Sequence, residues 1–222
     1  MVGCMQLSVG IKSLIALAAL ALCFVRTAAQ EKWVLKKDKD GIQVYEAKNT
    51  ENNFKSVKAE CTMTATLSQV AAVLSDVARH AEWVYGVKTA RIVKRESEAR
   101  LWYYSEVNAP WPVSNRDFIV DFQMSQPAPG TLAVASHAVP DMLPEQQGLV
   151  RIKNSHSSWA ITPAGDGNMK VVYIITFDPA GSVPAWIVNM FIADGPYKTF
   201  KNLKERVKLP EYKDVRFGFL KE

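Results

Sequence analysis

Apolar and polar positions alternate with period two through most of this 222-residue chain. Such runs occur at 89–95, 100–107, 118–125, 132–138, 149–155, 158–162 and 169–178, divided by short turns such as Glu96-Ser97-Glu98 and Pro127-Ala128-Pro129-Gly130. Runs of this length, with nothing helical between them, predict strands joined in antiparallel order rather than βαβ units. Near the start, 33–37 and 42–46 flank Asp38-Lys39-Asp40-Gly41, whose Asp-Gly pair favours a hairpin turn, and 54–63 supplies a third strand. The period changes to 3.6 in two places. Leu67, Val70, Ala71 and Leu74 share one face of a helix over 67–76, with Thr66 as N-cap and Gln69 placed to complete a capping box. After a short link at 78–85, the last helix runs from Pro184 to about Val207 along a stripe of Trp186, Met190, Ala193, Tyr197, Phe200, Leu203 and Val207. Pro196, preceded by Gly195, should kink it. Beyond Pro210 the tail reads as polar and loosely held.

The most informative segment is Pro110-Trp111-Pro112-Val113-Ser114-Asn115-Arg116-Asp117-Phe118. Two prolines around a tryptophan exclude both helix and central strand, so this is a stiff loop. It feeds a strand in which Phe118, Val120, Phe122 and Met124 share one face and Asp117, Asp121 and Gln123 the other. Arg116 and Asp117 point in opposite directions there and read as structural anchors with separate partners.

Composition narrows the picture. A chain of this length that is 48% hydrophobic forms one domain with a sizeable core. Residues 1–29 are excluded from that core. Lys12, the apolar run 13–25 and Thr27-Ala28-Ala29 form the pattern of a secretory signal peptide, with cleavage leaving Gln30 first. The run is short for an uncleaved membrane anchor, the competing reading. The expected product is exported, periplasmic or extracellular. Cleavage removes Lys12, Arg26 and no acid, so the formal charge drops from +5 to +3. That mild excess would help contact with anionic lipid headgroups and is too small to argue for nucleic acid. Cys4 and Cys23 leave with the leader. Cys61 then has no disulfide partner and is expected as a buried thiol.

Reactive constellations are scarce. His80, His137 and His156 are far apart and stand beside no nucleophile or metal motif, and surface or capping roles are expected for them. Trp83, Trp102, Tyr103, Tyr104 and Trp111 suit an apolar core or the lining of an apolar cavity equally well.

The Pro-Trp-Pro…Arg-Asp-Phe segment resembles the signature of START (StAR-related lipid transfer) domains. The resemblance extends from about Trp33 to Val207 and includes Pro144-Glu145-Gln146-Gln147-Gly148-Leu149-Val150-Arg151, Asp178-Pro179-x-Gly181-Ser182-x-Pro184 and the helix ending Lys201-Asn202-Leu203-Lys204. It implies an α+β helix-grip fold: a curved antiparallel β-sheet wrapped around the long C-terminal helix, enclosing an apolar cavity. The implied organisation is a leader at 1–29, a lipid-binding domain at 30–210 and a polar tail at 211–222. The implied function is non-enzymatic binding and transfer of a lipid, with no cofactor, metal or nucleic acid, transient contact with a membrane surface, and action as a monomer. Candidates for lining the cavity are Trp83, Trp102, Tyr103, Tyr104, Phe118, Val120, Phe122, Met124, Tyr173, Met190, Ala193 and Tyr197. A one-residue register choice decides whether Tyr103 or Tyr104 points inward. The 108–116 loop with Trp111, and the kink at Gly195 and Pro196, would gate it. Steroid-binding members carry a cavity arginine six residues after the motif arginine, paired with an acid on the preceding strand. Phe122 stands there instead, so cholesterol specificity is not implied. Readings from other classes are an enzyme on the same fold acting on an apolar substrate, and a lipid-sensing interaction module.

Overall fold

The computed structural model describes residues 33–47 and 55–222. The segment predicted as a leader, Phe54 and the side chain of Met190 lie outside the described residues. Strands β1 (Trp33–Lys39) and β2 (Ile42–Ala47) form a hairpin whose turn places Asp40 and Gly41 at φ 56° and 68°. Positive φ at both central residues matches the right-handed twist of the flanking strands. β3 (Lys55–Thr64) pairs with β2, and Thr66 then caps α1 (Leu67–Ser75). Both halves of the capping box form: Gln69 N donates to Thr66 Oγ1 at 3.1 Å, and Thr66 N donates to Gln69 Oε1 at 2.8 Å. A 3₁₀ turn (Val77–Arg79) and α2 (His80–Trp83) carry the chain across to the far edge of the sheet.

There β4 (Val87–Arg95), β5 (Arg100–Val107), β6 (Arg116–Ser125) and β7 (Leu132–Ala138) run antiparallel. β9 (Ser155–Gly165) and β10 (Asn168–Phe177) complete one sheet in the order β1-β2-β3-β10-β9-β7-β6-β5-β4. β10 pairs with β3, so the last strand closes the centre and the sheet curves around the C-terminal helix. The predicted strand at 149–155 is largely absent. Only Val150 and Arg151 pair, as β8, parallel to the start of β6.

That helix, α3 (Ala185–Arg206), lies in the concave face. Phe200, Leu203 and Val207 are fully buried there against Val44, Ala59 and the rest of the core. Burial of each such side chain contributes about 1.5–3 kcal/mol. Trp186, by contrast, is 56% exposed while Ile187 is buried, so the predicted stripe is out of phase at the start of the helix. Cys61 is buried on β3, and desolvation pushes its thiol up to about 11. The tail is not loose. Tyr212 of α4 (Pro210–Lys213) is buried, Phe217 and Phe219 pack edge to face, and the Glu222 carboxylate accepts from Leu67 N and Ser68 N at 3.0 Å. A carboxylate at that position meets unpaired donors at the positive end of α1.

Candidate functional site

A cavity of about 320 Å³ lies between the concave face of the sheet and α3. The period-two pleat of β6 builds one wall: Arg116, Phe118, Val120 and Phe122 all line it. On the other face of the same strand, Asp117 pairs with Arg151 and Asp121 with Arg100. Register places Tyr103 opposite Val120 and Ser105 opposite Phe118, so Tyr103 lines the cavity and Tyr104 turns outward.

The opposite wall comes from β9 and β10. Ser155, Ser157 and Trp159 alternate along β9, and Tyr173, Ile175 and Phe177 along β10. Trp159 stacks on Phe200 of α3 at 5.6 Å and lies 4.3 Å from the Tyr173 ring. The helix contributes Ile187, Val188, Phe191, Gly195, Pro196 and Thr199. Gly195 is small for a local reason: a Cβ there would come within 3.3 Å of the Tyr85 ring. Pro196 withholds the N–H that the Ile192 carbonyl would otherwise accept, which weakens the helix at the same level.

Trp83, His80 and Tyr103 form the end of the cavity nearest α1. The His80 ring meets Trp83 and Tyr103 edge-on at 5.7 and 5.5 Å, and its Nε2 is within 3.1 Å of the Leu74 carbonyl. Burial pushes the His80 pKa down to about 4, so the ring is neutral near pH 7. Burial likewise raises the hydroxyls of Tyr103 and Tyr173, which keep their protons.

Of the candidates from sequence, Trp83, Tyr103, Phe118, Val120, Phe122, Tyr173, Gly195 and Pro196 line the cavity. Five others do not. Trp102 lies on the outer face between Lys94 (4.7 Å) and Arg100 (4.6 Å), and Tyr104 lies there beside Arg91 (5.2 Å). Met124 is buried farther along β6, where its N–H donates to the Ala99 carbonyl. Ala193 and Tyr197 do not line the cavity, because the row Ile187, Phe191, Gly195 and Thr199, spaced four residues apart, faces it instead; the Tyr197 hydroxyl donates to Asp40 of the hairpin turn. Trp111 covers nothing and is 89% exposed. Its loop folds on itself, since Val113 N donates to Pro110 O and Asn115 ties Ala109 N to Glu106. That turn throws the tryptophan outward.

Sequence reasoning missed His80, Tyr85, Trp159 and Phe191. Trp159 was accessible through the alternation Ser155, Ser157, Trp159. His80 was not, because a four-residue helix shows no periodicity. Among the described residues, no three His, Cys, Asp or Glu side chains gather as metal ligands would.

The START domain family matches residues 18–213 of the chain. An uncharacterized protein of Pseudomonas aeruginosa is 31% identical over 195 residues, covering 88% of this chain and 96% of its own. The phosphatidylcholine transfer protein of Bos taurus is 25% identical over 179 residues, covering 77% and 82%. A solved fragment of a STAR-related lipid transfer protein from Xanthomonas axonopodis superimposes with a TM-score of 0.73 at 30% identity, over 80% of this chain and 99% of that one. Human STARD10 superimposes at 0.70 over 95% and 83%; at 20% identity that likeness concerns the fold alone.

Proposed function

The chain belongs to the START domain family, and on that premise we propose that it is a non-enzymatic carrier of one lipid. The carrying observation is the cavity between sheet and helix, whose walls are predominantly aromatic and aliphatic. Exposing a lipid chain to water costs roughly 0.8 kcal/mol per CH₂, and a closed apolar cavity removes that cost during transit. The lipid transfer for which its relatives are named agrees with this role. His80 and Tyr103 are the nearest approach to an acid–base pair, yet His80 Nε2 is already committed to the Leu74 carbonyl. Carriage needs no reaction. Every residue that lines the cavity comes from one copy, which supports action as a monomer.

Extraction and native mass spectrometry of the purified protein test the reading. A lipid adduct is expected at one per chain, acquired on incubation with mixed vesicles. Absence of any adduct after such loading would sink it.

Loading requires contact with a bilayer. Trp111 and Trp186 are 89% and 56% exposed, and their segments flank the lining residues Ala109, Arg116, Val183 and Ile187. Tryptophan favours the membrane interface, where its ring is half buried and its N–H remains wet. The expected result for Trp111→Ala combined with Trp186→Ala is a roughly tenfold weaker partition onto vesicles and slower transfer. Transfer at the wild-type rate would show that neither ring docks.

Export completes the proposal, supported by the basic, apolar and small-residue order of residues 12–29. The mature protein should have an intact mass beginning at Gln30; a mass that retains Met1 would overturn it.

A further inference from the structure

Arg116 is the only lysine, arginine, aspartate or glutamate that lines the cavity among the described residues. The pleat of β6 fixes its direction, since it shares a face with Phe118, Val120 and Phe122 while Asp117 turns the other way. Its guanidinium donates to two backbone carbonyls, Ser114 O and Ala180 O (3.4 Å), which bridge the 108–115 loop to the segment before α3. No carboxylate of the described residues lies within 4 Å of it. The other part-buried arginines all have one: Arg151 has Asp117 at 2.8 Å, Arg206 has Glu82 at 2.6 Å and Arg100 has Asp121 at 2.9 Å. Arg116 is thus a partly desolvated cation without a counter-ion, and burial holds its pKa below the ordinary arginine value.

The surroundings are graded. Ser155 and Ser157 place hydroxyls on the cavity face at the start of β9, and Phe122, Trp159 and Phe200 make the region beyond apolar. Among the described lining residues there is no acid to receive an ammonium group.

We infer that the ligand supplies the missing counter-ion: an amphiphile with a net negative oxyanion head, phosphate or carboxylate, paired with Arg116, its chain running toward Trp159 and Phe200. Guanidinium is suited to either oxyanion, because its parallel N–H groups match the two oxygens. The inference rests on the carrier reading and names the class of lipid that reading leaves open. It also relocates selectivity. Position 122 carries no charge, and the one cation lining the cavity among the described residues lies six residues earlier on the same face.

Three probes with matched fluorescent chains decide it: phosphatidylglycerol, oleate and diacylglycerol, each offered in neutral carrier vesicles. The full chain should take up at least one anionic probe about tenfold more than diacylglycerol. Preference for phosphatidylglycerol identifies a phosphate head, and preference for oleate a carboxylate. Arg116→Gln should bring the anionic-to-neutral ratio close to one, and Arg116→Lys should retain part of it; a ratio is insensitive to loss of folded protein. Equal uptake of diacylglycerol by the wild type, or an undiminished ratio in Arg116→Gln, overturns the inference and leaves the carrier reading intact. Uptake of none of the three overturns both.

Discussion

Replacing Asp117 with asparagine will lower stability by about 3–5 kcal/mol, and the melting temperature by about 10 °C. Asp117 is 0% exposed and Arg151 4%. They form a two-pronged pair, Nε to Oδ1 at 2.8 Å and the second nitrogen to Oδ2 at 2.9 Å. The same guanidinium collects the carbonyls of Pro140 (2.6 Å), Leu143 (3.0 Å) and Pro144 (3.0 Å) and so fixes the connection between β7 and β8. Asparagine removes the charge and presents an amide donor to a donor. The arginine is then buried without an anion, which is the costly half of any interior ion pair. Replacing both residues with apolar ones of similar volume should recover much of the loss. Denaturant melts of the two variants give the comparison; a loss below about 1 kcal/mol for Asp117→Asn would mean that the carbonyls alone hold Arg151.

Phe122→Arg should abolish lipid uptake while the circular dichroism spectrum still reports the sheet. Phe122 is 4% exposed, with its ring 6.4 Å from that of Tyr103, and its partner across β5 is the fully buried Leu101. An arginine here finds no acid on the neighbouring strand. It can extend into the cavity, where water accompanies it, so the fold survives and the apolar volume does not. Desolvating that charge again to admit a lipid chain costs several kcal/mol, enough to reduce occupancy by more than about a hundredfold. Adding Leu101→Glu gives the charge a partner and should restore stability without restoring uptake. Uptake at the wild-type level in the single variant would show that the lipid does not pass Phe122.

Local chemistry makes much of this fold legible in advance. The Thr66–Gln69 capping box, the Asp40-Gly41 turn and the alternation of β6 each depend on a few adjacent residues, and the structure contains all three. Features decided by distant partners are harder to read. Tyr103 and Tyr104 can be told apart only by the pairing of β5 with β6. Val150 and Arg151 alternate like a longer strand, but Arg151 is drawn into the ion pair with Asp117, and the pairing stops after two residues. A stripe chosen by hydrophobicity alone takes in Trp186, Ala193 and Tyr197, whereas the row that faces the cavity is Ile187, Phe191, Gly195 and Thr199, and it does not read as apolar because a glycine and a threonine stand where it meets Tyr85. The tail looks polar because Tyr212, Phe217 and Phe219 are spread among charges, and only the fold brings them against the core. Trp111 escapes sequence reasoning for a related reason: proline stiffness is visible in sequence, but the direction of a loop is set by side chains such as Asn115.

Arg116 lies where the 108–115 loop meets the segment before α3, at the loop end of the cavity and not at its floor. A lipid that pairs with it enters chains first and leaves chains last. The charged head then never crosses the apolar interior, so the barrier to exchange contains the slide of a hydrocarbon chain, but no ion transfer through a medium of low dielectric. On this reading the rate of turnover falls as the chain lengthens, while the choice of lipid is made at the rim.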